Sequence, residues 1–175
     1  MTPHQYIDLA IIPALTALVP ERMNTREAWV MMLAIALQES NLRGRVQGEN
    51  IATTGPYPAS KKGGPARGPH QFELIGVEEV CRHPASAGHM RQACATLGYR
   101  FNAADLHTAM RWDLALDCTI ARLALWRHPA PLPAATERKV AWAQYVEIWR
   151  PGAERPDDWP VNWTAALAVT AGRRP

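Results

Sequence analysis

Hydrophobic residues fall into segments of helical length, separated by prolines, glycines and capping side chains. Residues 28–37 are the most apolar segment, with almost no polar break, which is typical of a helix buried on all sides. Asn24, with Glu27 three residues later, predicts where this helix begins. Further helices are predicted at 2–20, 70–74, 77–83, 84–97, from Asn102, and at 113–126, 136–149 and 161–171. The expected fold class is all-α or mainly α.

Residues 41–69 interrupt this pattern. They contain six glycines, four prolines and five basic residues. The basic residues are Arg43, Arg45, Lys61, Lys62 and Arg67. Connections of this length are uncommon in compact domains and are usually functional. The stretch is therefore predicted to be a long functional loop.

Composition and charge narrow the class of protein. With 175 residues, 47% hydrophobic and 20% charged, the chain is expected to form one folded domain over its whole length. The net charge of +3 suits an acidic polymer such as cell wall or nucleic acid without requiring either. No apolar run is long enough for a membrane span. Asp8 and Pro13 interrupt the first apolar segment, which also lacks a cationic start, so no signal peptide is expected.

The cysteines do not indicate a disulfide framework or a metal site. The chain has three cysteines, Cys81, Cys94 and Cys118, and an odd number cannot all pair with one another. Cys81, His83, His89 and Cys94 are zinc-ligand types, but their spacing matches no compact zinc site. Buried thiols and surface imidazoles are the expectation, with no metal and no organic cofactor.

Glu39 is the residue with the most distinctive chemistry. It lies at the end of the most apolar predicted helix, where desolvation and the negative end of the helix dipole both raise a carboxyl pKa. A carboxylic acid that keeps its proton near neutral pH is what a general acid for glycosidic cleavage requires. The alternative is a helix-terminal glutamate that is paired with Arg43 or Arg45.

Three ordered motifs carry a resemblance to a known family. Ala-Ile-Ala-Leu-Gln-Glu-Ser at 34–40 and Gly-Pro-Ala-Arg-Gly-Pro-His-Gln at 64–71 resemble the Glu-Ser and Gly-Ala-Arg-Gly-x-x-Gln motifs of lytic transglycosylases. The helix with Trp142 and Tyr145, followed by Trp-Arg-Pro-Gly at 149–152, is similar to the third motif of lysozyme-like proteins encoded by tailed phages and prophages. The resemblance covers about residues 28–163.

The resemblance implies a fold like that of goose-type lysozyme and cleavage of the β-1,4 bond between N-acetylmuramic acid and N-acetylglucosamine. Glu39 would be the catalytic acid, and Tyr145 would hydrogen-bond or orient its carboxyl. Peptidoglycan strands would bind in a cleft whose substrate-binding residues are Ser40, Arg67, Gly68 and Gln71.

The sequence departs from the family pattern in two places. His70 stands where an apolar residue usually precedes the motif glutamine, so altered substrate contacts are expected there. Tyr145 lacks the Asn-Ala-Gly that follows it in cell-wall enzymes, and its helical spacing with other apolar residues also fits plain core packing. Trp159 and Trp163 are candidate sugar platforms.

A second catalytic carboxylate is not identified. Glu49 and Glu73 lie near the motifs, but neither has a diagnostic spacing. With one carboxylate, the substrate's N-acetyl group can act as nucleophile, and Glu39 can then take the 6-hydroxyl proton to close a 1,6-anhydro ring. Two alternatives stay open: a hydrolase that uses Glu49 or Glu73, and a non-catalytic virion structural or wall-binding protein.

The expected setting follows from the same resemblance. The protein would reside in a phage virion or the host cytoplasm and act on the periplasmic cell wall. Its partners would be peptidoglycan glycan strands and, as further candidates, other virion proteins, with neither nucleic acid nor membrane as a partner.

Overall fold

The computed structural model describes residues 1–43 and 64–175, which are mainly α-helical. Arg45, Glu49, Lys61 and Lys62, and with them most of the predicted loop, lie outside the described residues. The α-helices are α1 (Pro3–Tyr6), α2 (Ile12–Ala17), α3 (Arg26–Ser40), α4 (Leu74–Arg82), α5 (Pro84–Leu97), α6 (Ala103–Ala109), α7 (Leu114–Trp126), α8 (Arg138–Trp149) and α9 (Trp159–Thr170).

The first predicted helix forms, but it is not uniform. Thr2 and Gln5 cap its start reciprocally, and a π-helical turn, Ile7–Ile11, joins α1 to α2. Pro13 cannot donate to Leu9 and would crowd that carbonyl in a regular α-helix. The wider π-turn lets the chain remain helical past the proline. A 3-10 turn, Glu21–Met23, then leads towards α3.

α3 is the buried helix that its composition predicts. Its residues from Ala28 to Gln38 are all buried. The N-cap is Thr25, whose hydroxyl accepts from the Ala28 amide at 3.2 Å, so the prediction of Asn24 is wrong by one position. Asn24 instead accepts from the Trp29 indole at 2.7 Å.

Most later boundaries agree with the predictions. α5 spans the predicted residues and is followed by Gly98 in the left-handed conformation, with φ of 77°. Asn102 and Asp113 cap α6 and α7 through hydrogen bonds to backbone amides. The predicted helix at 70–74 is wrong, because residues 68–71 form a turn and α4 begins at Leu74.

The packing brings the end of α3 to a meeting point of several elements. α3 packs on α9 and contacts α7 and the N-terminal π-turn. At its C-terminal end, Ser40 bonds the segment before α4, and Glu39 meets α8. Within residues 1–43 and 64–175, no helix is long and apolar enough to cross a bilayer.

Candidate functional site

Glu39 and Tyr145 form the centre of the site. Glu39 occupies the last turn of α3, and the Tyr145 hydroxyl on α8 donates to its Oε1 at 2.5 Å. The Tyr145 ring is buried and stacks on Trp159, with centroids 5.3 Å apart and planes 10° from parallel. Tyr145 is therefore a core residue whose hydroxyl reaches the Glu39 carboxyl. The core packing and the hydrogen bond that the sequence suggested as alternatives are both present.

The surroundings of Glu39 favour its protonated form. Desolvation by burial is the largest influence, and it raises the pKa of the carboxyl above its ordinary value. The Tyr145 hydrogen bond and the charges of Arg155 and His70 oppose it in part. Among the described residues, the hydrogen-bond partner of the carboxyl is Tyr145 and not Arg43.

Burial also keeps Tyr145 neutral. Desolvation and the neighbouring Glu39 carboxyl raise its pKa far above the usual range, so the phenol remains a hydrogen-bond donor. Because this donor occupies Oε1 of Glu39, a proton carried by the carboxyl belongs on Oε2. The pair is suited to giving and recovering one proton at a defined oxygen.

Glu39 opens into a cleft of about 650 Å³. It is lined by Glu39 near the end of α3, by Gln71 and Glu73 just before α4, by Tyr145 on α8 and by Arg155 in the segment after α8. Glu73 therefore shares a cleft with Glu39, as a candidate second carboxylate must. A further lining carboxylate, Glu79, is ion-paired with Arg127 at 3.3 Å and with Arg150 at 3.6 Å.

Residues 67–72, which we call the motif turn, bring Gln71 to this cleft. The amides and carbonyls of Arg67 and Phe72 bond each other at 2.9 and 3.0 Å. Between them, Gly68 and Gln71 have positive φ angles of 72° and 52°. The Gly68 carbonyl accepts from the Gln71 backbone amide at 3.1 Å and from its side-chain Nε2 at 2.7 Å, which closes the turn.

Side chains from three other elements hold the carbonyls of the motif turn. The Ser40 hydroxyl donates to Pro69 O at 2.8 Å, and the Trp149 indole donates to His70 O at 3.0 Å. His107 Nε2 bonds Phe72 O at 3.0 Å. The Glu-Ser pair thus connects the carboxyl and the motif turn through adjacent residues of α3.

The predicted substrate-binding residues divide into two groups. Gln71 lines the cleft. Ser40, Arg67 and Gly68 support the motif turn: the Arg67 guanidinium donates to Gly64 O at 2.6 Å, and Gly68 lies against Asp117. Binding of sugar by any of these residues stays a prediction.

The expectation that Trp159 and Trp163 form sugar platforms is wrong. Each is only 2% exposed, so neither ring presents a face to a ligand. Their indole nitrogens donate to the carbonyls of Arg138 and Ala135, at 3.1 Å each. Both rings belong to the aromatic core that supports Tyr145.

Substrate contacts were expected at His70, but its side chain is fully buried and does not reach the cleft. Its Nδ1 lies 2.6 Å from Asp117 Oδ2, a contact between two side chains that sequence reasoning did not connect. A signal was present at each position: a histidine at a usually apolar position, and a carboxylate inside the apolar segment of α7.

Metal-ligand side chains come together at one place among the described residues, namely His70, Asp117 and Cys118. The short distance between His70 and Asp117 is that of a hydrogen bond, which leaves no space for an ion between them. Of the two cysteines considered as zinc ligands from the sequence, Cys81 is a half-buried free thiol and Cys94 a buried one.

No protein-family model matches the chain, and neither the curated proteins nor the solved structures contain a match. The functional assignment therefore depends on the motifs and on the geometry of the cleft.

Proposed function

We propose that the protein is a peptidoglycan-cleaving enzyme of the lytic transglycosylase type, with a lysozyme-like fold. It breaks the β-1,4 bond between N-acetylmuramic acid and N-acetylglucosamine. The single observation that carries the proposal is the Glu39 carboxyl, desolvated and hydrogen-bonded by Tyr145 at a cleft that Gln71 also lines. The motif resemblance supplies the substrate class.

Glu39 serves first as an acid and then as a base. It donates its proton to the glycosidic oxygen as the C1–O bond breaks, and the N-acetyl oxygen of the muramoyl residue attacks C1. The Glu39 carboxylate then takes the proton of the muramoyl 6-hydroxyl, and O6 displaces the N-acetyl oxygen at C1. The 1,6-anhydro ring closes, Glu39 regains its proton, and no water is consumed.

Other residues position the groups that react. Tyr145 holds Oε1 of Glu39, so that Oε2 faces the substrate. Gln71 offers an amide donor and acceptor to sugar hydroxyl or N-acetyl groups from the cleft wall. The chemistry requires no metal or organic cofactor. The biological setting that we propose is wall cleavage by a phage, either from the virion or during lysis, with virion proteins as further partners.

A hydrolase is the second candidate, because Glu73 lines the same cleft as Glu39. A second carboxylate can activate water or act as a nucleophile. Glu73 also precedes α4 as its N-cap residue and is exposed, which fits a surface position near the helix start equally well. The Glu73→Gln variant separates the two, since a transglycosylase keeps its activity and a hydrolase of this type loses it.

The test is Glu39→Gln, assayed by the release of soluble muropeptides from purified cell walls. The substitution keeps the shape and removes the transferable proton, so release should fall roughly 10²- to 10⁴-fold. Glu27→Gln is the matched control, because Glu27 is an exposed glutamate in the first turn of the same helix. It should behave as wild type. Circular dichroism should show that both variants are folded.

Two results would contradict the proposal. Near-native release by the Glu39→Gln variant would show that another residue is the acid. Binding of cell walls by the wild type, without any release of muropeptides, would instead identify a wall-binding protein.

A further inference from the structure

Behind the motif turn lies a buried polar cluster. Tyr6 from α1, His70 from the motif turn, and Asp117 and Cys118 from α7 are each 0% exposed. His70 Nδ1 is 2.6 Å from Asp117 Oδ2, and the Tyr6 hydroxyl is 3.3 Å from both atoms. The Cys118 thiol donates to the Tyr6 oxygen at 3.3 Å. Polar groups are buried at this depth only where hydrogen bonds compensate for lost water.

The hydrogen bonds define where the protons lie. His70 Nε2 is 3.1 Å from the Met32 carbonyl oxygen, which can only accept, so Nε2 carries a hydrogen. At Nδ1, the short contact requires a proton between the ring and Asp117 Oδ2. The imidazole therefore connects the carboxylate on α7 to the backbone of α3, the helix that carries Glu39.

Asp117 also determines which residue can occupy position 68. A Cβ placed on Gly68 would lie 2.0 Å from Asp117 Oδ1, well inside contact distance. Within the described part of the chain, Oδ1 has no hydrogen-bond partner. The hydrogen bond between Oδ2 and His70 holds the carboxylate in place, and Oδ1 occupies the space that a side chain at position 68 would need.

The motif turn needs such support because Gln71 adopts a left-handed φ of 52°. A residue with a side chain is rarely stable there unless surrounding contacts impose the conformation. Ser40, Trp149 and His107 hold three carbonyls of the turn from partly exposed positions. The His70–Asp117 pair holds it from inside the core.

We propose that the buried His70–Asp117 pair is a positioning device that fixes the motif turn, and with it Gln71, relative to Glu39. For catalysis this inference rests on the proposed function, because Gln71 is the group that would touch the substrate. His70 and Asp117 themselves act only through the turn. In this chain the contact at position 70 is a hydrogen bond between two buried side chains.

The first test combines Asp117→Asn with the double substitution His70→Leu/Asp117→Leu. Asp117→Asn leaves His70 facing a neutral amide, whereas the double variant removes both partners of the pair together. The Tyr6 hydroxyl then loses its acceptor on Asp117 and keeps the Cys118 thiol as its partner, so circular dichroism should first show that the variant is folded. Thr119→Val is the matched control, since Thr119 is buried on the same helix and, among the residues that the structure describes, its hydroxyl bonds the Ala115 carbonyl of that helix alone.

Two readouts are needed. Hydrogen exchange of the Gln71 and Phe72 amides, which bond Gly68 O and Arg67 O in the turn, should become at least tenfold faster in both cluster variants and unchanged in Thr119→Val. With soluble peptidoglycan strands as substrate, kcat should fall at least tenfold, and KM should rise as well because the displaced Gln71 is the proposed substrate contact. The loss of kcat should persist in the double variant even where its thermal midpoint equals that of the wild type.

The outcomes separate this inference from the proposed function. Unchanged exchange in both cluster variants overturns it, whether or not the wild type is active. Faster exchange with wild-type kcat shows that the pair serves stability alone and also overturns it. A wild type that releases no muropeptide contradicts the proposed function, while the exchange rates still decide the placement of the turn. One equivalent of bound zinc in the purified protein would also overturn the inference about the His70–Asp117 pair, since an ion would replace the proton shared by the two side chains.

Discussion

At Glu39, burial and a hydrogen bond act on the same carboxyl in opposite directions. Burial raises its pKa, and the Tyr145 hydroxyl lowers it by stabilising the ionised form. Because we propose that the protonated carboxyl is the catalytic acid, we expect activity to decline as pH rises through this pKa. The hydrogen bond thus lowers the pH at which activity should begin to decline, and it also fixes the carboxyl in one orientation.

Tyr145→Phe should separate these effects. Loss of the hydrogen bond raises the pKa of Glu39 further, so the alkaline limb of the kcat profile should move to higher pH. Loss of orientation should lower the maximal rate roughly 10- to 100-fold. Tyr99→Phe is the control, because its hydroxyl bonds Asp113, a residue outside the described cleft lining. An unshifted alkaline limb would show that Tyr145 does not act on the carboxyl.

Glu39 should also make stability depend on pH. An acid whose pKa is raised on folding stabilises the protein below its unfolded pKa, near 4.5, and this contribution is lost as pH rises through the folded value. Glu39→Gln removes that loss. The thermal midpoint of the variant relative to the wild type should therefore increase from acidic to neutral pH. A difference that is the same at both would contradict the desolvation of Glu39.

At the scale of elements, Gly98 and Gly68 offer a matched comparison. Both have positive φ, at 77° and 72°, but no atom of the described residues lies within 4 Å of a Cβ at Gly98, whereas Asp117 blocks one at Gly68. Gly98→Ala should cost about 1–2 kcal/mol, the conformational term alone. Gly68→Ala should cost clearly more. Chemical denaturation measures both, and equal losses would show that Asp117 does not constrain position 68.

Local sequence signals predicted the elements that depend on neighbouring residues. Asn102, Asp113 and Gly98 mark helix ends because their side chains or backbone act within a few residues of themselves. The helix predicted at 70–74 failed for a different reason. Its first residues are held in a turn by side chains from distant elements, such as Ser40 and Trp149, which no local pattern reveals.

At the scale of the whole molecule, the site depends on long-range contacts. Glu39 could be singled out from its apolar helix, but its contact with Tyr145 spans 106 positions and was expected only from the motifs. The contact between His70 and Asp117 spans 47 positions and was not expected at all. The apolar pattern therefore predicts the helices, whereas the fold decides which polar side chains meet.

Because α3 is buried on all sides, substitutions within it should lower the stability of the whole fold. Leu33 is 0% exposed in the middle of this helix, so Leu33→Ala should cost about 2–5 kcal/mol by leaving a cavity. Val161, on α9, is 71% exposed, and Val161→Ala should change stability by no more than about 0.5 kcal/mol. Urea denaturation compares them, and a small loss at Leu33 would contradict the central placement of α3.

The central claim is that one carboxyl, Glu39, cleaves the glycan by internal ring closure. Mass spectrometry of the muropeptides released from purified cell walls tests it most directly. Ring closure leaves 1,6-anhydromuramic acid ends, which are one water, about 18 Da, lighter than hydrolytic ends. We expect anhydro products from the wild type and from Glu73→Gln, and none from Glu39→Gln. Reducing muramic acid ends as the main product would contradict it and identify a hydrolase.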